Sequence, residues 1–143
     1  MKFKLTLVFA VMFTAVFAQK TPSVAVLDFD TRGYSEVERY QIIQKLTLEM
    51  INMENYEVID NYDVEYISQR DGIDFTGCFS RICLKELGEK LDVDYVLTGS
   101  MNLLGEKVST TVRLFNVAEG TFVNSANRNY VDVPNNDLLA IRF

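Results

Sequence analysis

The sequence predicts an α/β (α+β) fold, with a small mixed β-sheet of about five strands and three or four helices packed on it. A valine-rich run at 23–30 is followed by an amphipathic segment at 36–53 and a second short apolar run at 56–60. This order is typical of two parallel strands joined by a helix. Two short capped helical segments follow. The last third of the chain alternates apolar and polar residues between glycine turns, which indicates antiparallel hairpins.

The amino terminus has the pattern of a secretory signal peptide and is set apart from the fold. Lys2 and Lys4 precede an uncharged apolar run from Leu5 to Ala18, which is shorter than the ~20 residues that a transmembrane helix needs. The alternative is an uncleaved membrane anchor. We therefore expect cleavage after Ala18, one globular domain at 19–143 without a transmembrane span, and periplasmic or secreted localisation.

The first half of this domain contains a strand, a helix and a second strand. The strand at Ser23–Asp30 lacks alternation and is rich in valine and leucine, as in strands buried on both faces. Ser35 and Glu38 have the spacing of a capping box, which predicts that a helix begins at residue 36. The apolar stripe expected on that helix consists of Tyr40, Ile43, Leu46, Met50 and Met53.

Two further helices are expected in the middle of the chain. Asp60 or Asn61 can cap a helix over residues 62–70, which Asp71-Gly72 ends. Ser80 can cap another helix from Arg81 to Leu91. Its buried face is expected to consist of Leu84, Leu87 and Leu91.

Three strands are expected in the last third. Tyr95–Leu104 and a run from Val108 to Leu114 flank Gly105-Glu106, a hairpin signal with glycine first. Thr121–Val133 is more polar and is expected to form an edge strand. Asn136 or Asp137 could start a last helix, but residues 134–143 are left unassigned.

The charge of the chain excludes some classes of partner. The sequence holds 14 basic and 20 acidic residues, and removal of residues 1–18 takes away two lysines, leaving a net charge of −8. Such a surface repels phosphate backbones and anionic lipid headgroups. We therefore expect no nucleic-acid partner and no peripheral membrane binding.

Cys78 and Cys83 are an even pair in an exported chain, and this pattern favours a disulfide. Five residues along a helix rise about 7.5 Å, which is more than a bridge spans without backbone movement. Paired cysteines therefore require Cys78 to lie in the loop before the helix. The alternatives are two free thiols and a redox or metal pair; zinc would need further ligands, and the chain has no histidine.

The sequence has few of the residue patterns that enzymes use for catalysis. We predict a non-enzyme without catalytic, cofactor-binding or metal-binding residues. Without histidine, the usual general base of serine and cysteine hydrolases is missing. One alternative remains, in which Asp28 and Asp30 at the end of the first strand hold a divalent cation in a metal-dependent hydrolase or a phosphate-handling enzyme. The other interpretation is that these carboxylates solvate the strand end.

The assembled pattern resembles a known family of periplasmic domains. The resemblance rests on the VAVLDF strand, on the GC pair with four residues before the second cysteine, on LGEKLDVDYVLTGS and on RLFNVAEGTFV. It covers about residues 23–131. The family comprises the amino-terminal domain of TolB, the curli secretion protein CsgG and the penicillin-binding-protein activator LpoB.

This resemblance implies a non-enzymatic envelope domain that docks on other proteins. An envelope or outer-membrane protein is thus the expected partner, and self-association into a homo-oligomer is an alternative. The chain departs from the lipoprotein members, because no lipidation cysteine follows the apolar run. The strand Thr121–Val133 is a candidate docking edge. It could equally be an ordinary edge, kept unattractive to partners by Asn124, Asn127, Arg128 and Asn129.

Overall fold

The structure, a computed structural model, describes residues 20–105 and 107–131. The predicted signal peptide, Glu106 of the predicted hairpin turn and the unassigned segment 134–143 lie outside these residues. The strands are β1 (Ser23–Arg32), β2 (Glu57–Ile59), β3 (Tyr95–Leu104), β4 (Lys107–Asn116) and β5 (Thr121–Val131), and the helices are α1 (Glu36–Asn52), α2 (Asn61–Asp71) and α3 (Arg81–Leu91).

The strands form one mixed five-stranded sheet in the order β2-β1-β3-β4-β5. β1 runs parallel to both β2 and β3, whereas β3, β4 and β5 are antiparallel to their neighbours. A helical connection is needed to join parallel strands, and a short turn is enough for antiparallel ones, which matches the order of elements in the sequence. The predicted α+β fold class is confirmed, and β5 lies at an edge of the sheet.

Each face of the sheet packs against helices and forms its own core. On the first face, α1 covers Val24, Val26, Phe29, Leu97 and Met101, together with Val108 and Val112. On the second face, the cluster joins Val64 of α2 and Leu84, Leu87 and Leu91 of α3 to Ala25, Leu27, Val96 and Phe115. The two connections from β1 to β2 and from β2 to β3 therefore pass on opposite faces.

The apolar stripe of α1 differs from the predicted one at both ends. Tyr40 and Met53 are 42% and 47% exposed, and the buried positions are instead Ile42, Ile43, Leu46, Thr47 and Met50. A buried threonine is tolerated here because its hydroxyl donates a hydrogen bond of 2.9 Å to the Ile43 carbonyl inside the helix. A pattern that counts only apolar residues misses that position.

The predicted caps begin all three helices. Ser35 and Glu38 form the capping box of α1, and Ser80 accepts a hydrogen bond from the Cys83 amide at the start of α3. Of the two candidates for α2, Asp60 is the cap, because its carboxylate accepts hydrogen bonds from the first amides of that helix. Asn61 instead accepts a hydrogen bond of 2.9 Å from the side chain of Gln44 on α1.

Candidate functional site

A cleft of about 480 Å³ opens at the carboxyl end of β1. The helical connection after β1 passes on one face of the sheet, and the connection after β2 passes on the other. In open α/β sheets, ligands bind at the carboxyl ends of the strands where the connections diverge in this way. The cleft lies between α1, α2 and the loop that leads to α3. Its polar lining residues include Asp28, Glu36, Arg39, Glu65 and Asp74.

A β-bulge in β1 brings Asp28 to this cleft. The pairing of β1 with β3 shifts register between Val26 and Phe29. Ala25 and Leu27 belong to the core on the side of α2 and α3, but Phe29 belongs to the core on the side of α1. A bulge inserts one extra residue and re-aims the side chains around it. The alternation of β1 side chains between the two faces of the sheet therefore breaks at Asp28.

Each of the two predicted carboxylates has its own arginine. The Asp28 carboxylate lies 3.6 Å from the Arg39 guanidinium, and the Asp30 carboxylate lies 3.8 Å from that of Arg32. Burial raises the pKa of Asp28, while the charge of Arg39 and the Phe29 amide act in the opposite direction. Within residues 20–105 and 107–131, no group of three or more histidine, cysteine, aspartate or glutamate side chains could hold a metal ion.

Cys78 lines one wall of the cleft, and Cys83 lies within disulfide distance of it. Their Cα atoms are 5.5 Å apart, and Cys78 is only 4% exposed. Cys78 precedes α3 in the loop, and Cys83 lies in the first turn of the helix, which is the placement that a bridge requires. In the same loop, the Asp74 carboxylate accepts a hydrogen bond of 2.9 Å from the Thr76 amide, and this contact lowers the pKa of Asp74.

A third carboxylate, Asp94, serves to connect two strands. Its Oδ2 accepts hydrogen bonds from both the amide and the hydroxyl of Ser23, at 2.8 and 3.0 Å, and the Asp94 amide donates to the Ser23 hydroxyl. These bonds lower the pKa of Asp94. The contact ties the start of β1 to the start of β3. Because the two residues are far apart in sequence, no local pattern indicates it.

A second concave surface lies beside β5, on the face of the sheet that α1 covers. We call it the edge groove, and its volume is about 200 Å³. One helix leaves part of β4 and β5 uncovered on this face. The groove is lined by Glu49, Met50, Met53, Tyr56, Leu97, Val112, Leu114, Asn124, Ser125 and Ala126. Sequence reasoning pointed to the edge strand but not to this apolar surface, which depends on where α1 lies across the sheet.

No helix in the described part of the chain is long and apolar enough to cross a membrane.

Compared by sequence, the chain matches no protein-family model and has no significant match among curated proteins. Its fold, in contrast, is found in solved structures. The LpoB C-terminal domain from Salmonella enterica superposes with a TM-score of 0.62 at 15% identity, over 78% of this chain and 84% of that domain. Lipoprotein GNA1162 from Neisseria meningitidis gives a TM-score of 0.64 at 19% identity, over 84% of this chain and 89% of the other.

A further structure with the same general arrangement is the PelC dodecamer from Paraburkholderia phytofirmans. Its TM-score is 0.52 at 14% identity, with 85% of this chain and 79% of the other covered. Identities at this level establish a common fold, whereas function has to be argued from the site. The chain therefore has the fold of the LpoB C-terminal domains, as the resemblance predicted.

Proposed function

We propose that this chain is an exported, non-enzymatic module of the bacterial envelope that binds a partner protein. The observation that carries the proposal is the fold shared with the LpoB C-terminal domain and with a lipoprotein, over more than three quarters of each chain. A shared fold supports a shared role only by analogy. Further support for the proposal has to come from the residues on the surface of this chain.

The chemistry of the cleft supports binding rather than catalysis. Asp28 lines the cleft and Asp30 is not among its lining residues. Each forms an ion pair with a separate arginine, and the described residues add no group that could complete a metal site. Among the described residues, two carboxylates with a lowered pKa accept hydrogen bonds from the protein itself, Asp74 from Thr76 within one turn and Asp94 from Ser23 across two strands. Those groups have structural partners rather than partners suited to general acid–base work.

The predicted compartment fits the same proposal. The signal peptide pattern at 1–18 directs the chain out of the cytoplasm, where an oxidising environment would join Cys78 to Cys83. The cysteines flank the start of α3, so a bridge would fix the loop that forms one wall of the cleft. A fixed loop is useful to a docking surface, because less conformational freedom is lost when a partner binds.

The proposal is tested by affinity capture from the native cell envelope with residues 19–143 as bait. We expect one protein to be retained in a constant ratio, and the purified pair to form a complex in isothermal titration calorimetry. A matched control is the same bait unfolded in urea before use, which should retain no partner. Capture of no protein above background, or equal retention by both baits, would contradict the proposal. Light scattering on the free bait separates a monomer from a self-associating subunit.

A further inference from the structure

The hairpin of β4 and β5 differs in charge from the rest of the chain. Residues 20–105 contain sixteen acidic and eight basic side chains, whereas residues 107–131 contain one acidic side chain, Glu119, and three basic ones, Lys107, Arg113 and Arg128. With the adjoining Glu106 and Asp132 the segment is neutral, so it lacks the acidic excess of the rest of the chain. An acidic partner would therefore be repelled less here than elsewhere, and Arg128 offers it a cation.

The outer edge of β5 has the properties of a strand that can accept another strand. β5 pairs with β4 over ten positions on one side, and no other strand of the described residues pairs with its outer side. Edges of this length are normally blunted by several charges, by proline or by a bulge. The bulge in the pairing of β5 with β4 lies near the start of β5, before Asn124. Between Thr121 and Val131 there is no proline, and Arg128 is the only charged residue. The asparagines of this strand are polar, but they do not repel an incoming strand.

The two faces of the sheet present different surfaces to a strand added at this edge. On the side of α1, Ala126 lies opposite Val112 and Asn124 opposite Leu114, and all four line the apolar edge groove. On the other side, Asn127 lies opposite Thr111 and donates a hydrogen bond of 3.0 Å to its hydroxyl. Successive side chains of a strand point to opposite faces. A strand that fits here must therefore alternate apolar and polar residues.

Arg128 adds a requirement for charge. It is exposed, lies opposite Thr110 on β4, and makes no ion pair with the described residues. An acidic side chain directly across from it on an added strand would form a favourable cross-strand pair. A lysine in that place would be repelled.

We propose that the free edge of β5 takes an extended, acidic segment of a partner protein as a sixth strand. The segment alternates apolar with polar residues, and its apolar side chains fill the edge groove beside Met53 and Leu114. An acidic residue of the segment lies across from Arg128. This mode of recognition combines main-chain hydrogen bonds with pockets for alternate side chains. The inference rests on the proposed function, for which it names the docking surface and the chemistry of the partner.

The test uses residues 19–143 and two synthetic nine-residue peptides that alternate threonine and valine. One carries a glutamate at its sixth position, and the other carries a lysine there. Binding is measured by fluorescence anisotropy, and the contact is located by amide hydrogen exchange. We expect the glutamate peptide to protect the outward-facing amides of Thr121–Val131, which do not donate to β4. We also expect it to bind roughly threefold to tenfold more tightly than the lysine peptide.

Charge reversal provides the matched variants. Arg128→Glu should reverse the preference between the two peptides. The control Arg81→Glu makes the same charge change at an exposed position at the start of α3, on the face of the sheet opposite the edge groove, and should leave the preference unchanged. Equal binding of the two peptides, or a preference that Arg128→Glu does not alter, would overturn the proposal.

Two further outcomes also decide against it. If neither peptide protects β5 at millimolar concentration, the edge does not accept a strand. Some amides of β5 donate to β4 and are protected in the free protein; if the remaining, outward-facing amides are protected as well, the edge is covered by the chain itself or by a second copy. The capture experiment is independent of these results: a partner that binds while β5 stays unprotected in the complex leaves the proposed function standing and removes only this surface.

Discussion

Replacement of Cys83 by serine is expected to lower the free energy of unfolding by about 2 kcal/mol. The two cysteines are separated by five residues, and closing a loop of that length removes about this much chain entropy from the unfolded state. Cys78 remains in the core of the variant as a buried thiol, which packs like a small apolar side chain. The loss therefore measures the cross-link and not a cavity. For a domain of this size, 2 kcal/mol corresponds to a decrease in Tm of roughly 8 °C.

The assay is urea unfolding of the oxidised protein and of the Cys83→Ser variant, each with and without a thiol reductant. The reductant should bring the wild-type protein to the stability of the variant and should leave the variant unchanged. If the oxidised wild-type protein and the variant unfold at the same urea concentration, the bridge does not stabilise the fold. If the reductant destabilises both proteins equally, its effect does not act through this pair.

Three other substitutions test the fold and the cleft. Gly99→Ala should destabilise the protein by about 1–3 kcal/mol in urea unfolding, because the new Cβ would lie less than 3.0 Å from the Thr111 carbonyl oxygen and the Phe29 ring. An unchanged midpoint of the urea transition would show that β3 can shift to accommodate the methyl group. Asp28→Asn should stabilise the protein at pH 7. The pKa of Asp28 is raised on folding above its usual value of 3.8, so ionisation of its carboxyl destabilises the native state as pH rises from 3.8 through the raised pKa. The stabilisation by asparagine should therefore vanish below pH 3.8. A stabilisation that does not depend on pH would refute this reasoning. Ser35→Ala should reduce stability by about 1 kcal/mol in thermal unfolding and Ser35→Gly by only a few tenths; equal losses would argue against the cap.

Local patterns in the sequence were sufficient to predict the helix ends and the sheet. Ser35 and Ser80 cap α1 and α3 as predicted, because capping depends on residues within one turn of each other. Parallel and antiparallel pairing also followed from the connections between strands. The buried face of α1 was harder to predict, since it includes the polar residue Thr47, whose hydroxyl donates a hydrogen bond to a carbonyl of the same helix.

The candidate sites depended more on distant contacts. Asp28 and Asp30 were considered together as one candidate cation site, but the bulge in β1 arises in its pairing with β3, and the sequence of β1 alone does not contain that information. The edge groove is likewise set by the position of α1 over β4 and β5. The sequence indicated β5 as an edge, and the difference between its two faces became visible only from the register with β4.

The most direct test of partner docking is photo-crosslinking in cells that produce the full chain. A photoreactive amino acid is placed at Asn129, an exposed position on β5, and in a separate variant at Lys90, an exposed position on α3. We expect one discrete adduct with an envelope protein from position 129 and only background from position 90. Absence of an adduct at position 129, or the same pattern of adducts at both positions, would contradict partner docking at the β5 edge.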